Sequence, residues 1–430
     1  MQMSDALKVA LLGAGTVGSQ VARVFLEQSE EFSSRVGRPL ELVGIAVKNI
    51  NKPRPGIDRA LLTDDALGLV SRGDIDIVVE VIGGVDPAKD LILAAVTHGA
   101  SVVTANKALL SEFGPEIYKA AEHHGVDIYY EAAVAGAIPI IRPLRESLVG
   151  DEITAVTGIV NGTTNFILEQ MTNLGSSYEE VLKEAQELGY AEPDPTADVE
   201  GFDAAAKAAI LASLAFHTKV RLSDVSREGI TAITAADIAA AAEVNGVIKL
   251  LARCDVADDG SISVGVHPTI ISRKHPLAGI HGAYNAIFVE SRYAGRLMFM
   301  GPGAGGTPTA SAVLGDVVQA ARNRVRGTFA PGLLAYLDRK ITPAADAKAR
   351  YFLSLQVVDQ PGVLAGIAAT FAKHGVSLQS VRQNESEANH AGLNLVTHVA
   401  KAGDISATIT DLEQLDFVKP GIKTLRVEGA

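Results

Sequence analysis

Apolar residues follow one rhythm in the first third of the chain and others after it. Up to residue 134, short near-continuous apolar runs alternate with stretches of helical period. The runs are residues 6–12, "LELVGIAV" at 40–47, "DIDIVVEV" at 74–81, "ASVVTA" at 100–105 and "VDIYYEAAV" at 126–134. Helical spacing separates the later ones, as in "PAKDLILAAVTHG", where Pro87 stands at a helix start and its missing N–H is no loss. Strands apolar on both faces and joined by helices predict a doubly wound parallel sheet covered on both sides.

From about residue 150 the texture changes. "DEITAVTGIVNG" reads as a strand with a polar end, and long alanine-rich helices are predicted over 178–188, 203–216 and 235–252. "YNAIFVES" and "RLMFMGPG" alternate cleanly and predict an antiparallel pair. "GAGGTPTASAVLGDVVQAARN" predicts a glycine turn feeding a helix, over 306–330, that returns to the first domain. Residues 331–350 mix proline, glycine and charge and read as a linker. Beyond it, Tyr351, Leu353, Leu355 and Val357 share one strand face, and Val363, Leu364, Ile367, Ala368 and Phe371 recur at helical spacing up to a stop at Gly375. Two more alternating stretches, a helix near 404–415 and "KTLRVEG" complete a β-α-β-β-α-β unit of ferredoxin-like type. The expected parts are therefore 1–150 with the return helix, 151–305, the linker, and 351–430.

Composition narrows the function classes. A chain of 430 residues is too long for one ordinary core, and 47% apolar residues supply enough for several. A net charge of −12 with no lysine–arginine block speaks against nucleic acid and against anionic membrane as partners. The single cysteine, Cys254, excludes an intramolecular disulfide and any multi-cysteine metal site, and fits a reducing cytoplasm. The apolar start is broken by Lys8 and runs straight into a glycine loop, unlike a signal peptide. No apolar run reaches the roughly 18 residues that a membrane span needs.

That loop, "GAGTVG", sets Gly13, Gly15 and Gly18 in the G-x-G-x-x-G spacing between a first strand and a first helix. Its glycines permit a tight turn and a close backbone approach to a pyrophosphate at the helix N-terminus, so Gly13, Gly15, Thr16, Val17 and Gly18 are candidate dinucleotide ligands. The competing reading is a glycine turn needed only for packing. An acid at the end of the second strand favours NAD through the ribose diol. Here Lys48, Lys52 and Arg54 follow that strand instead, which favours the 2′-phosphate of NADP(H) and leaves NAD(H) open. The plainer alternative is a set of solvated loop cations.

The helix predicted from Asp203 poses a problem of burial. At about 100° per residue, Lys207, Ile210, Leu211 and Leu214 all fall within about 80° of Asp203. The other faces are mostly alanine, so this helix has no polar side to turn to water. An exposed i,i+4 pair contributes only about 0.3–0.5 kcal/mol, whereas burying it costs several kcal/mol per ion. That cost is usually tolerated where chemistry requires it. Beside a nicotinamide, Lys207 suits a general acid/base for an alkoxide, and Asp203 can orient it or hold a substrate ammonium. The preceding loop, "AEPDPTADVEG", adds Glu192, Asp194, Asp198 and Glu200. Pro193 and Pro195 stiffen it and fix Glu192; most of these acids read as solvated, while one of them can bind a cationic group of an amino-acid substrate, and a magnesium site stays open though the reaction does not call for it.

"GYAEPDPTADVEGFDAAAKAAIL" resembles the signature of homoserine dehydrogenases. "VVTANKALL" (102–110), "EAAVAGAIPII" (131–141) and "GIVNGTTNFIL" (158–168) fit the same family in the same order. "DQPGVLAGIA" from Asp359 resembles an ACT domain. The resemblance implies a Rossmann-type domain, an α+β substrate-binding and dimerisation domain, and a ferredoxin-like ACT regulatory domain. It leaves no room for the kinase found in fused relatives. It implies interconversion of L-aspartate 4-semialdehyde and L-homoserine, on the route to threonine, methionine and isoleucine. By position, Lys207 would be the proton donor and Asp203 its partner. Glu192 would bind substrate and Asn161 line the cleft. Thr104 and Lys107 in "TANK", Gly189 and Gly306 would meet the cofactor. A monovalent cation, sodium, would sit near Glu131 with carbonyl oxygens of Val134, Gly136 and Ile138. Hard cations prefer such oxygens. Relatives often have an arginine where this chain has Lys48. An ACT unit implies feedback by an amino acid, L-threonine first, with Gly362 permitting a close approach at the strand-to-helix turn; the plainer alternative is a dimerisation module with no ligand. A homodimer or homotetramer is expected.

Two rivals remain at this point. An aspartate-semialdehyde dehydrogenase needs a cysteine nucleophile, and Cys254 follows "NGVIKLLAR", read as helix, with no base motif beside it. A non-enzymatic sensor of nucleotide and amino acid explains the loop and the tail but not the Asp203–Lys207 pair.

Overall fold

A computed structural model of the chain describes residues 6–330, 337–385 and 390–429. They form two compact units. The first comprises Met1–Val156, Ala209–Leu222 and Tyr284–Asp338, and the second Thr157–Ala208, Ser223–Ala283 and Arg339–Ala430.

Along the chain, the opening stretch runs β1 (Leu7–Leu12), α1 (Thr16–Glu27), α2 (Ser29–Val36), β2 (Leu40–Ala46), β3 (Leu62–Thr63), α3 (Ala66–Val70), β4 (Ile77–Glu80), α4 (Ala88–Thr97), β5 (Ser101–Thr104), α5 (Lys107–His124) and β6 (Ile128–Tyr129). Next come β7 (Ile153–Ile159), α6 (Gly162–Leu174), α7 (Tyr178–Glu187), α8 (Thr196–Val199), α9 (Phe202–Ala215), β8 (Ser226–Arg227), α10 (Ala235–Glu243), β9 (Gly246–Val256) and β10 (Ile262–Ser272). The hairpin β11 (Tyr284–Ser291) and β12 (Gly295–Pro302) leads into α11 (Gly306–Arg326). The last stretch is β13 (Lys348–Val358), α12 (Val363–Lys373), β14 (Leu378–Glu385), β15 (His390–Thr397), β16 (Ala400–Lys401), α13 (Ala402–Leu412) and β17 (Lys423–Glu428).

In the first unit, six parallel strands lie in the order β3-β2-β1-β4-β5-β6. The order reverses between β1 and β4, which places a ligand crevice at the carboxyl ends of these two strands. Every residue of β4 and β5 is buried, as their unbroken apolar runs require. Val9, Leu11, Phe25 and Ile45 share a core with Val313 and Val317 of the returning α11. Each such side chain stabilises the unit by about 1.5–3 kcal/mol. The strand expected over 126–134 stops at Tyr129, because a 3₁₀ turn over Glu131–Ala133 swings the chain inward.

In the second unit the helix expected over 235–252 ends at Glu243, and the rest is β9. Asn245 adopts φ 56°, and a Cβ on Gly246 would lie 2.4 Å from Ile270 Cγ2. The "NG" pair is thus a turn, and the alanine count obscured it. β10, absent from the sequence reading, pairs with β9 antiparallel from Ile262↔Val256 to Ser272↔Gly246.

The C-terminal strands run β17-β13-β15-β14, the ferredoxin-like order. Tyr351, Leu353, Leu355 and Val357 are buried as expected, whereas Leu364 and Ala368 face solvent. β17 also pairs with β10 in parallel, Thr269 opposite Arg426, so the C-terminal strands extend the sheet of β9 and β10. Residues 331–336 of the expected linker lie outside the described residues.

Candidate functional site

The charged pair on α9 is buried. Lys207 is 8% exposed, and its Nζ donates to Asp203 Oδ2 at 2.7 Å and to the Val160 carbonyl at 2.7 Å. β7 delivers Val160, and the next residue, Asn161, caps α6: its Oδ1 accepts from the Thr164 N–H at 2.9 Å. Asn161 Nδ2 donates to Asp203 Oδ2 at 3.0 Å and to Asp198 Oδ1 at 2.6 Å. Thr163 Oγ1 lies 2.7 Å from the Tyr190 carbonyl and 3.1 Å from Asp198 Oδ2, two acceptors within reach of its one O–H. One network therefore joins Lys207, Asp203, Asn161, Asp198 and Thr163. An ammonium has three N–H groups, so two fixed acceptors leave one for an incoming oxygen.

Asp198 is one of the loop acids named from the sequence, without a role of its own, and Thr163 was not singled out. Their only local signal is a carboxylate in the turn before α9 and a hydroxyl in the turn after "VNG". Glu192 is exposed, with its carbonyl accepting from Gln186, and it lies outside this network. Gly189 follows α7 in a left-handed conformation, φ 76°.

The glycine loop follows β1 in the first unit. Gly13 has φ 100°. A Cβ on Gly18 would sit 2.0 Å from the Gly13 carbonyl oxygen, so only glycine allows α1 to pack there. A Cβ on Gly15 would meet nothing within 4 Å, which leaves room for a ligand against the backbone. Gly15 caps α1 without a side-chain hydrogen bond, and the first turn holds no acid. These features fit a pyrophosphate. Thr16 and Val17 open α1, and a Cβ on Gly306, at the start of α11, would lie 2.8 Å from the Thr16 carbonyl oxygen. Lys48 is exposed just beyond β2.

Behind the loop, Glu80 at the end of β4 is fully buried. Its carboxylate accepts from Ile82 N, Gly83 N and, at 2.5 Å, Thr104 Oγ1. Asn106 caps α5 and donates to the Gly84 carbonyl at 2.6 Å, which sets Lys107 at the first position of that helix. The sequence reading missed Glu80, an acid inside an apolar strand.

Glu131 is buried, and its carboxylate accepts from three backbone N–H groups: Ile140 and Ile141 at 2.6 Å and Arg142 at 3.0 Å. Arg142 also binds Asp316 at 3.1 Å. Burial and the nearby Glu131 charge push the Asp316 carboxyl up to about 7. Glu131 thus anchors its loop with both oxygens engaged. Gly136 has φ 58°, and a Cβ there would lie 2.5 Å from the Gly303 carbonyl oxygen. Among the described residues, no loop or capping backbone N–H donates to the carbonyls of Val134, Gly136 or Ile138. A hard monovalent cation takes carbonyl oxygens, and the Glu131 carboxylate, with both oxygens on backbone N–H groups, fits the role of anchor better than that of ligand.

Cys254 lies on β9, not on a helix. It is buried with its sulfur 3.6 Å from the Ala208 carbonyl, and burial pushes its thiol far up, so it is no nucleophile. Gly362, φ 92°, caps α12 in the C-terminal unit. No helix among the described residues is long and apolar enough to cross a membrane.

Comparison with known proteins bears on this geometry. A family model described as "Homoserine dehydrogenase" matches residues 139–318, one described as "Homoserine dehydrogenase, NAD binding domain" matches 13–131, and an ACT domain model matches 351–417. The chain is 53% identical over 428 residues to the homoserine dehydrogenase of Corynebacterium glutamicum, covering 99% of this chain and 96% of that one. It is 51% identical to that of Mycobacterium tuberculosis, over 98% and 97% of the two chains. A crystal structure of a homoserine dehydrogenase from Thiobacillus denitrificans superposes with TM-score 0.93 at 39% identity, covering 99% and 98%.

Proposed function

The chain belongs to the homoserine dehydrogenase family of oxidoreductases, and from that premise we propose that it interconverts L-aspartate 4-semialdehyde and L-homoserine with Lys207 as proton donor. The observation that carries this reading is the Lys207 amine, buried yet held by Asp203 and the Val160 carbonyl, with an N–H to spare. A bound dihydronicotinamide supplies the hydride that reduces the aldehyde carbon. Lys207 gives a proton to the aldehyde oxygen as charge develops there. Asp203 aims the amine. Asn161 fixes Asp203 and lines the cleft, and the Glu192 carboxylate binds the substrate ammonium. Run backwards, the neutral amine takes the hydroxyl proton of homoserine.

On the cofactor side, Gly13, Gly15, Thr16, Val17 and Gly18 hold the pyrophosphate. Gly306 completes the loop's packing, and Gly189 is the residue of the 189–201 loop that would meet the cofactor. Thr104 and Lys107 serve the nicotinamide end, through the Glu80 and Asn106 contacts that order their loop. Lys48 favours NADP(H), with NAD(H) accepted more weakly. Carbonyls of Val134, Gly136 and Ile138, with Glu131 near them, would hold a sodium ion, whose charge would steady the 131–141 loop. L-threonine at the Gly362 turn inhibits, and a coupling of about 1–3 kcal/mol suffices. The working form is a cytoplasmic homodimer or homotetramer built on residues 151–305.

The direct test is loss of NADPH on adding L-aspartate 4-semialdehyde, with and without L-threonine. Protein that binds NADPH but turns over no aldehyde sinks the reading.

A further inference from the structure

Lys249 on β9 is a second buried lysine, 3% exposed, and the reaction above has no use for it. Its Nζ donates to Asn165 Oδ1 at 2.8 Å and to the Ile280 carbonyl at 2.8 Å. Asn165 is 1% exposed, and its Nδ2 donates to the carbonyls of Ile280 at 3.2 Å and Gly282 at 2.8 Å. Its side chain is therefore locked from both ends. The backbone N–H of Asn165 donates to the carbonyl of Asn161, the residue that caps α6 and holds Asp198 and Asp203. The first turn of α6 has no slack on the other side either, since a Cβ on Gly162 would lie 2.6 Å from the Ala283 carbonyl oxygen.

We infer that Lys249 is a positioning residue for the substrate-side network. Through Asn165 it sets the rotation of the first turn of α6, and so the aim of the Asn161 amide at Asp198 and Asp203. The inference rests on the functional reading above. Burial lowers the amine's pKa to about 8, against the Glu169 carboxylate, which raises it. A neutral amine keeps two N–H donors, enough for both observed acceptors, so the positioning does not depend on charge. Apolar packing alone is a poor account of the site, because it explains neither the amine nor the amide facing it.

The experiment compares the full-length enzyme with Lys249→Met, Lys249→Gln and Asn165→Ser in steady-state kinetics, NADPH binding and melting temperature. The expected result for Lys249→Met is a rise in KM for the aldehyde of roughly tenfold or more, larger than any fall in kcat, with NADPH affinity unchanged. Lys249→Gln, which keeps a donor, recovers part of that loss, and Asn165→Ser reproduces it. Should Lys249→Met fail to fold, Asn165→Ser carries the same reading. Variants that melt lower but keep the parent KM overturn the inference, because the contact is then structural only. An inactive parent overturns the functional reading and this inference with it, whereas an active parent with unmoved variants overturns this inference alone.

Discussion

Asp203 and Lys207 stand one turn apart on α9 with Oδ2 and Nζ 2.7 Å apart, and each side chain is only 10% exposed. Removing one partner of such a pair leaves an uncompensated buried charge. Asp203→Ala should therefore destabilise the protein by about 3 kcal/mol or more, and lower kcat by misdirecting the amine. Asp203→Asn, which keeps an acceptor for Lys207, should lose less stability. Urea midpoints and kcat for the two variants check this, and equal midpoints for Asp203→Ala and the parent would contradict it.

Lys48 lies exposed after β2, where the ribose of the adenosine half is read in this fold. Lys48→Ala should weaken NADPH several-fold more than NADH. Fluorescence titration with both cofactors measures the ratio, and an equal loss for both means that Lys48 does not read the 2′-phosphate.

Gly362 caps α12 with φ 92°, a conformation that a β-branched residue strongly resists. Gly362→Val should lose inhibition by L-threonine while the uninhibited rate stays near that of the parent. A variant that is still fully inhibited places the effector elsewhere. This substitution is a cleaner test than deleting the C-terminal unit, because β17 pairs with β10 and its loss would bare a strand edge.

The Lys249 amine has its pKa lowered from 10.5 to about 8 by burial. Below about 8 both folded and unfolded chains carry the proton, so the cost of the buried charge is fully present. Between about 8 and 10.5 the unfolded chain binds more protons, and stability rises with pH, by about 3 kcal/mol in all from this group. In Lys249→Met that rise should vanish. Denaturation curves across this pH range give the slope, and an unchanged slope in the variant removes the amine as its source.

The sequence revealed what short-range patterns encode. Two-faced apolar runs disclosed the parallel sheet, and the spacing of Gly13, Gly15 and Gly18 disclosed the turn after β1. Asp203 and Lys207 stood out because α9 offers them no polar face. Other features depend on contacts between distant segments. β9 and β10 were hidden because alanines up to Glu243 masked the turn at Asn245. Asp198 and Thr163 become partners only when the turn before α9 meets the start of α6. Glu131 looks like the end of a strand until its carboxylate is seen capping Ile140, Ile141 and Arg142. Nothing local announces that β17 will lie beside β10.

At the centre of the account is a proton that leaves the Lys207 amine as the aldehyde takes its hydride. Single-turnover NADPH oxidation with L-aspartate 4-semialdehyde, for the parent and for Lys207→Ala, probes that step apart from product release. Lys207→Ala should lose roughly 10²–10⁴ in the chemical rate with NADPH affinity unaltered. An alanine variant that oxidises NADPH as fast as the parent contradicts it.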